Sequence, residues 1–273
     1  MSDSTNVVPT TVVPTKVFIV PYRDRAENRA EFLKRLTTDI LVDETEPYEI
    51  YFAHQCDTRP FNRGAMKNIG FLAVRNKYPT DYKNMTFIFH DVDTYPAKKG
   101  LIDYTTTQGI VKHYYGFTYA LGGIFAIKGS DFEKSMGFPN FWGWGLEDNC
   151  IQKRCEGIGL TIDRSIFYPI TDLVNIVRPF DGWHKTVSQR DAAIYKWETP
   201  DSMNDIKNLS YTTIQGKHLT NVFMVNISSF NVMIEPDDTE YVTYDIRRNN
   251  NKLKIMSNYK RKVWAMRAIF KKL

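Results

Sequence analysis

The sequence predicts an α/β protein with a mixed, mostly parallel central sheet and a nucleotide-binding N-terminal half. In the N-terminal part, short β-branched and aromatic runs alternate with longer stretches of helical spacing, which is typical of βαβ units. Charged residues directly follow these apolar runs, at the end of an open parallel sheet where ligands bind. The chain of 273 residues is long enough for one sizeable core.

The N-terminal part is predicted to contain three strands that alternate with two helices. A loose tail rich in Ser, Thr, Val and Pro, residues 1–15, precedes them. Helical spacing of apolar residues predicts the helices, and β-branched or aromatic runs predict the strands. In order, the elements are a strand over residues 16–20, a helix over 26–36, a strand over 48–53, a helix over 61–77 and a strand over 86–89.

The following part is predicted to complete one globular body over residues 16–230. Its last two strands, residues 211–214 and 221–227, are expected to pair antiparallel. The elements before them are a glycine-led strand over residues 121–127, a helix over 149–157 and a strand over 160–162.

Residues 231–273 form a C-terminal extension whose composition is first acidic and then rich in asparagine and basic residues. Near its end, apolar and basic residues alternate near helical spacing, which predicts a basic amphipathic helix. Two placements stay open: the helix docks on the body, or it lies on a membrane surface as a peripheral contact.

Composition argues against several function classes. The formal net charge is +5, but residues 259–273 hold the basic excess, so no nucleic-acid partner is expected. Three cysteines without a regular framework argue against a disulfide scaffold. No signal peptide or long apolar run is visible, so we expect a soluble, cytoplasmic chain. The many Asn, Lys, Ile and Tyr residues favour an AT-rich genome, such as that of a microbe or a large DNA virus.

The segment Phe-Trp-Gly-Trp-Gly-Leu-Glu-Asp, residues 141–148, is the most informative part of the chain. Tryptophan supplies a flat apolar face of the kind on which sugar rings stack, and glycine lets the backbone approach a ligand. A carboxylate beside such a platform, from Glu147 or Asp148, can take a proton from a sugar hydroxyl. The alternative is a buried aromatic turn in which both acids cap the following helix.

A second acidic motif, Asp91-Val92-Asp93, follows the strand predicted over residues 86–89. In open α/β sheets the carboxyl ends of strands bind ligands. One carboxylate could bind a metal ion and the other a sugar hydroxyl, and hard oxygen ligands suit Mn²⁺ or Mg²⁺. Three arginines lie at or near strand-to-helix connections, where a nucleotide pyrophosphate would be met. They are Arg23, Arg25 and Arg63.

Five motifs occur along the chain in a recognisable order. They are Pro21-Tyr22-Arg23-Asp24-Arg25, Phe61-Asn62-Arg63, Asp91-Val92-Asp93, Gly122-Gly123 and Trp142-Gly143-Trp144-Gly145-x-Glu147-Asp148. In this order they resemble the β-1,4-galactosyltransferase family, which includes xylosylprotein galactosyltransferases and N-acetylgalactosaminyltransferases. The resemblance covers roughly residues 17–228.

The resemblance implies a GT-A fold and inverting transfer of galactose or N-acetylgalactosamine from a UDP-sugar donor to a glycan or glycoconjugate acceptor, with Mn²⁺. It also implies residue roles. The residues implied to bind the donor are Pro21, Tyr22, Arg23, Arg25, Phe61, Arg63, Asp91, Val92 and Gly123. Those implied on the acceptor side are Asp148 as general base, Glu147 beside it, and Trp144 and Gly145. Asp93 is the implied metal ligand.

The sequence departs from the family pattern at several positions. His184 is offset from the expected metal-ligating histidine, so it is either that ligand or a surface loop residue. Asn149 stands where many members carry an acid, and Gln189-Arg190-Asp191 lacks the apolar side chain that helps hold the N-acetyl group of a GlcNAc acceptor, so another acceptor sugar is expected. Ala120 stands where galactose-transferring members often carry tyrosine, which leaves room for the N-acetyl group of UDP-GalNAc.

Two other functions compete with the transferase. A catalytically silent carbohydrate-binding protein on the same fold would keep the aromatic platform without needing a metal ion. An inverting hydrolase would use Glu147 and Asp148, but adjacent acids cannot easily flank a glycosidic bond on opposite faces. The presence of both Asp93 and Asp148 favours the transferase.

Overall fold

The computed structural model describes residues 12–179, 184–195, 201–236 and 241–245. Its strands are β1 (Lys16–Tyr22), β2 (Tyr48–Gln55), β3 (Thr86–His90), β4 (Tyr95–Pro96), β5 (Ile110–Gly116), β6 (Ile124–Lys128), β7 (Thr161–Asp163), β8 (Tyr168–Pro169), β9 (Ile176–Val177), β10 (His184–Ser188), β11 (Lys207–Gln215), β12 (Val222–Asn231) and β13 (Tyr241–Asp245). Its α-helices are α1 (Ala26–Lys34), α2 (Arg63–Lys77), α3 (Gly129–Lys134), α4 (Glu147–Gly157) and α5 (Gln189–Tyr195).

The central sheet has nine strands in the order β11-β12-β2-β1-β3-β6-β5-β7, with β8 paired to β5. Strand β1 is parallel to both β2 and β3, and β2 is parallel to β12. Strand β5 is parallel to β7 and β8, whereas β6 runs antiparallel to both β3 and β5. The prediction of a mixed, mostly parallel central sheet is therefore confirmed.

Strand β1 is buried on both faces because helices cover the sheet from both sides. All seven of its residues are buried. Val17 and Ile19 belong to the core cluster that includes the buried face of α2, and Phe18 and Val20 belong to the cluster that includes Phe32 of α1. Alternate residues of a strand point to opposite faces, which explains this division.

Helix α2 packs closely against β1 at Gly70 and against the Pro139 backbone at Gly64. The side chain of Asn62 caps the helix by accepting a hydrogen bond from the Ala65 amide at 2.8 Å. A Cβ on Gly70 would lie 2.6 Å from the Ile19 side chain, and one on Gly64 would lie 1.9 Å from the Pro139 carbonyl oxygen. The first turns of α2, which carry Arg63, are thereby fixed beside the ends of the central strands.

The structure differs from the sequence predictions at several boundaries. The predicted strand over residues 121–127 is wrong at its start, since β6 begins at Ile124 after Gly123 adopts a φ of +69°, which extended chain excludes. Helix α1 ends earlier than predicted and continues as a π-helical segment, Arg35–Ile40. The antiparallel pair at the end of the body is confirmed as β11 and β12.

Part of the segment assigned to the C-terminal extension packs on the body. Strand β13 pairs antiparallel with β10, so that Thr186 lies opposite Thr243. The predicted amphipathic helix lies outside the described residues, and its membrane contact stays a prediction. Among the residues that the structure describes, no helix has the length and apolar character needed to span a bilayer.

Candidate active site

A cleft of about 370 Å³ lies at the carboxyl ends of β1 and β3. Residues 141–146, here called the tryptophan loop, and β10 form its other wall. The sequence-predicted residues that line it are Pro21, Arg23, Arg25, Phe61, Arg63, Asp91, Val92, Asp93 and Trp144. It is also lined by Pro60, Gly143, Lys185 and Thr186. The fold thus brings residues from five separate segments together.

Two other predicted donor-side residues lie behind the cleft rather than in its lining. Tyr22 is 6% exposed and packs edge-to-face against Phe52 and His54. The carbonyl of Gly123 accepts a hydrogen bond from the Asp91 amide at 3.1 Å, so this glycine positions the acidic motif. A Cβ on Gly123 would lie 2.5 Å from the Tyr115 carbonyl oxygen, which explains why no larger residue fits.

Helix α2 presents two cations to the carboxylates of the cleft. Arg63 and Lys67 are four residues apart, which places them on one face of the helix. Arg63 Nη2 lies 2.7 Å from Asp91 Oδ1, and its Nε lies 3.0 Å from Glu147 Oε1. Lys67 Nζ donates to Asp148 Oδ1 at 2.7 Å. These pairs join the end of β3 to the start of α4.

A fourth ion pair connects the segments that follow β1 and β3. Arg25 Nη1 lies 3.2 Å from Asp93 Oδ2, and the neighbouring Arg23 donates to the carbonyl oxygen of Arg59. Together, the cations Arg25, Arg63 and Lys67 are paired with the four carboxylates Asp91, Asp93, Glu147 and Asp148. Arg23 and Lys185 also line the cleft, so its carboxylates lie among several cations.

The electrostatics of Asp91 and Glu147 differ. Burial alone would raise the pKa of Asp91, but the charges of Arg63 and Lys67 outweigh it and hold that pKa below its usual value. For Glu147, burial and then the charge of Asp148 raise the pKa above its usual value, although Arg63 and Lys67 oppose the change. Asp91 is therefore held ionised, and Glu147 is the carboxyl that protonates more easily.

The adjacent acids at the start of α4 also differ in access. The Glu147 side chain is 4% exposed, whereas that of Asp148 is 20% exposed. The amide of Leu121 donates to the Asp148 carbonyl at 3.0 Å, which ties the glycine-rich turn before β6 to this helix. Asp148 is thus the more accessible of the two acids. Both acids also lie in the first turn of α4, where the helix dipole favours them.

The two tryptophans of the motif have separate roles. Trp142 is 2% exposed, stacks on Phe230 with ring centres 5.8 Å apart, and donates from Nε1 to the Ile234 carbonyl at 2.8 Å. Trp144 is 37% exposed and lines the cleft. The interpretation as a buried aromatic turn therefore fits Trp142, and the interpretation as a sugar platform fits Trp144.

Glycines let the tryptophan loop approach β10. Gly143 has a φ of +80°, and a Cβ there would lie 2.9 Å from the Thr186 carbonyl oxygen. That same carbonyl accepts a hydrogen bond from the Trp144 amide at 2.8 Å. Gly145 has a φ of +100° with open space around it, so its backbone geometry, rather than crowding, favours glycine.

Sequence reasoning missed Lys67 and an exposed aromatic pair. Lys67 carries a charge in a stretch of α2 that is otherwise small, apolar or amide-bearing, and this is the signal that could have identified it. Phe117 and Tyr119 stack at 5.1 Å and are 42% and 62% exposed. Their turn contacts α4, because Asn149 donates to the Tyr119 carbonyl at 3.2 Å.

The two sequence-predicted metal ligands, Asp93 and His184, do not belong to a preformed cage among the described residues. The described residues contain no cluster of three His, Cys, Asp or Glu side chains able to hold a metal. Asp93 lines the cleft and its side chain is 19% exposed. His184 is exposed at the start of β10, next to the cleft residue Lys185. Divalent ions in nucleotide sites often take one or two carboxylates plus substrate phosphates, and this arrangement agrees with that pattern.

Sequence comparisons place the chain among known transferases. A sequence model described as the N-terminal region of glycosyl transferase group 7 matches residues 5–104, and one described as the N-terminal domain of galactosyltransferase matches residues 109–176. The chain is 32% identical to mouse β-1,4-galactosyltransferase 5 over 155 residues, which are 54% of this chain and 39% of that protein.

Two further relatives extend the similarity. Drosophila melanogaster β-1,4-galactosyltransferase 7 is 32% identical over 158 residues, 54% of this chain and 46% of that protein. Human β-1,4-galactosyltransferase 4 is 26% identical over 225 residues, 77% of this chain and 61% of that protein. The chain therefore spans less than two thirds of the length of these relatives.

Solved structures agree with the fold. The catalytic domain of Drosophila β-1,4-galactosyltransferase 7, in complex with xylobiose, superimposes with a TM-score of 0.60 at 20% identity, covering 83% of this chain and 97% of that one. A mutant of the same enzyme in complex with manganese, UDP-Gal and xylobiose gives a TM-score of 0.59 with the same coverage. The chain has the GT-A fold of these catalytic domains and belongs to the β-1,4-galactosyltransferase family of glycosyltransferase group 7.

Proposed function

We propose that this chain is an inverting, metal-dependent glycosyltransferase. It moves galactose or N-acetylgalactosamine from a UDP-sugar to a sugar hydroxyl and forms a β linkage. The observation that carries the proposal is the single cleft in which strand-end arginines, the Asp91–Asp93 motif and Trp144 meet, with Asp148 paired behind it. A complex of a structural neighbour with manganese, UDP-Gal and xylobiose supports the same substrate classes.

The donor nucleotide would bind on the β1 and β3 side of the cleft. Arg23 and Arg25 follow β1, and Arg63 begins α2, so their charges lie where a diphosphate would need neutralising. Pro21, Phe61 and Val92 supply apolar surface for the base and ribose. Tyr22 and Gly123 support this wall from behind. Asp91 would accept a hydrogen bond from a hydroxyl of the donor sugar.

The metal ion would be held by Asp93 and His184 together with the donor diphosphate. A carboxylate and an imidazole form a donor set that favours Mn²⁺ over Mg²⁺. The ion, when bound, stabilises the negative charge that develops on UDP as it leaves. Arg25 pairs with Asp93 in the structure, so it is placed to turn to the diphosphate when the metal takes the carboxylate.

Asp148 would act as the general base. It accepts the proton of the acceptor hydroxyl while that oxygen attacks the anomeric carbon, and the bond from that carbon to the phosphate oxygen breaks. One displacement of this kind inverts the configuration, so an α-linked donor gives a β-linked product. Glu147 pairs with Arg63 and orients it. This division follows from the greater exposure of Asp148.

The acceptor would lie against Trp144 and the open backbone at Gly145. The exposed Phe117–Tyr119 pair, which contacts the start of α4, offers a second aromatic surface for the same glycan. Ala120 is 5% exposed and small, which favours a donor pocket with room for an N-acetyl group. A strong preference for UDP-Gal over UDP-GalNAc would contradict this part of the proposal.

The test is a UDP-release assay across UDP-sugars, with and without Mn²⁺, against a panel of monosaccharide and xyloside acceptors. We expect acceptor-dependent release from UDP-Gal or UDP-GalNAc that Mn²⁺ stimulates and EDTA abolishes. A silent carbohydrate-binding protein would bind the sugar without releasing UDP. It would also retain that binding after Asp93→Ala and Asp148→Asn, and this outcome would overturn the proposal.

A further inference from the structure

Lys67 is a buried lysine, and the fold must offset the free-energy cost of burying its charge. Its side chain is 2% exposed and lies in the middle of the buried face of α2. A lone ammonium in such a place is strongly disfavoured, so buried lysines are paired or neutral. Its Nζ lies 2.7 Å from Asp148 Oδ1 and 4.6 Å from the centre of the Phe138 ring. The charge is therefore directed at the candidate base.

The rest of the Asp148 carboxylate is also constrained. A Cβ on Gly122 would lie 2.7 Å from Asp148 Oδ2, so only a glycine leaves room for the carboxylate in this orientation. Within the described part of the chain, no residue donates a hydrogen bond to Oδ2. One oxygen thus accepts from the ammonium, and the other lies against Gly122 without a donor among the described residues.

The other charged groups around Asp148 are carboxylates, or cations whose nearest partners are other residues. Glu147 is adjacent, and Asp91 faces the same two cations. Arg63 interacts with Asp148 electrostatically, but its nitrogens lie closest to Asp91 and Glu147. His113 lies behind Gly122, 3.1 Å from its carbonyl oxygen, and burial keeps it neutral. Lys67 is therefore the cation in direct contact with Asp148.

We propose that Lys67 is a positioning residue that supplies the contacting counter-charge of the Asp148 carboxylate and fixes its orientation. The inference rests on the proposed function, since it requires Asp148 to be the base. Removal of the ammonium leaves a half-buried carboxylate beside Glu147 and Asp91, and such a group gains a proton more easily. Transfer by a variant without the ammonium would then fall at low pH and recover at high pH.

The test is the pH profile of kcat for Lys67→Gln, which removes the charge and shortens the side chain by one atom. We expect the acid limb of the profile to move up by about one pH unit, so that transfer falls by up to about tenfold below the midpoint of the unsubstituted protein and changes little well above it. KM for the UDP-sugar should change little. Lys67→Arg, which keeps the charge, should keep the acid limb in place even if its kcat falls.

Lys77→Gln is the matched control. Lys77 lies on the same helix and pairs with Glu49 at 2.8 Å, away from the cleft. Its pH profile should equal that of the unsubstituted protein. Equal losses of kcat at every pH in Lys67→Gln would indicate only a structural role and overturn the inference. Lys67→Met is measured if Lys67→Gln does not fold, and failure of both to fold would contradict the inference as well.

Asp148→Asn separates failure of this inference from failure of the proposed function. If Asp148→Asn retains transfer, the assignment of the base is wrong and Lys67 has no base to position. If Asp148→Asn loses transfer but the acid limb of the Lys67→Gln pH profile matches that of the unsubstituted protein, the base assignment stands and the proposed role of Lys67 is wrong. Binding of the UDP-sugar with Mn²⁺, measured by calorimetry, should be preserved in both variants.

Discussion

The proposed donor wall of the cleft, residues 21–25 and 91–93, lies at the ends of neighbouring parallel strands. The proposed acceptor wall is the tryptophan loop, which side chains from distant segments hold in place. Strands β1 and β3 pair in register from Lys16 opposite Thr86 to Ile19 opposite Phe89, so the segments after them emerge side by side. Backbone hydrogen bonding of a sheet therefore places the arginines and the Asp91–Asp93 motif together.

The tryptophan loop has a different support. Asp201 accepts hydrogen bonds from the backbone amide and the side-chain amide of Asn140, each at 2.7 Å. Asp191 accepts from the Trp142 amide at 2.7 Å. Both carboxylates come from residues that follow the motif by some fifty positions or more. The proposed donor wall should therefore keep its geometry when a single supporting side chain is replaced, because backbone hydrogen bonds of the sheet hold it. The proposed acceptor wall depends on the side chains of a few buried carboxylates.

The largest effect is expected for Asp148→Asn on the acceptor side. The variant removes the base but keeps the shape, so kcat for transfer should fall roughly 10³-fold, within the range for general base catalysis. UDP-sugar affinity in the presence of Mn²⁺ should stay within a factor of two or so, and calorimetry measures it. Asp39→Asn, in an exposed ion pair, is the control. If the affinity for the UDP-sugar fell as much as kcat, the two walls would not have separate roles.

A smaller but broader effect is expected for Asp93→Asn on the donor side. Loss of the charged ligand weakens the binding of the metal ion. Because the ion stabilises the leaving UDP by several kcal/mol, transfer should fall about 10²-fold or more. Unlike Asp148→Asn, this variant should also bind the UDP-sugar more weakly and need more Mn²⁺ for half-maximal activity. A Mn²⁺ titration that matches the unsubstituted protein would argue against Asp93 as a ligand.

Asp191→Ala tests the support of the acceptor wall. The substitution leaves the Trp142 amide buried without its partner, a change that costs about 1–3 kcal/mol. We expect a lower Tm and an acceptor KM raised about fivefold, since an unpaired amide of this cost allows the loop to shift. The donor KM should remain unchanged. An increase in both KM values would show that the two walls are coupled.

The smallest effect on activity is expected from Asp201, whose burial raises its pKa from 3.8 to about 6. Because the folded-state pKa lies above the ordinary value, its stabilising contribution is full below about pH 4 and is lost as the pH rises through about 6. Asp201→Asn resembles the protonated carboxyl. Its Tm relative to the unsubstituted protein should therefore rise by a few degrees between pH 4 and pH 7, as scanning calorimetry would show. A constant difference would contradict the assignment.

Local sequence predicted that the strand-end arginines and the Asp91–Asp93 motif lie at one edge of the sheet, because this placement is a local property. An apolar strand followed by charged residues fixes both the element and the end of the sheet at which those residues lie. The boundaries were less predictable, as the start of β6 shows. Its first residues leave the extended conformation because Gly123 takes a positive φ under the Tyr115 carbonyl, and that contact joins separate strands.

The sequence by itself determined the α/β class, the position of the Asp91–Asp93 motif and the presence of two tryptophans beside two acids. The tertiary structure decided which tryptophan is buried, which acid is accessible and that Lys67 contacts Asp148. These outcomes depend on contacts between segments far apart in the chain, such as Trp142 with Phe230, or Lys67 with a carboxylate 81 residues later. Burial and charge pairing are set by those distant neighbours, so no local pattern of residues can specify them.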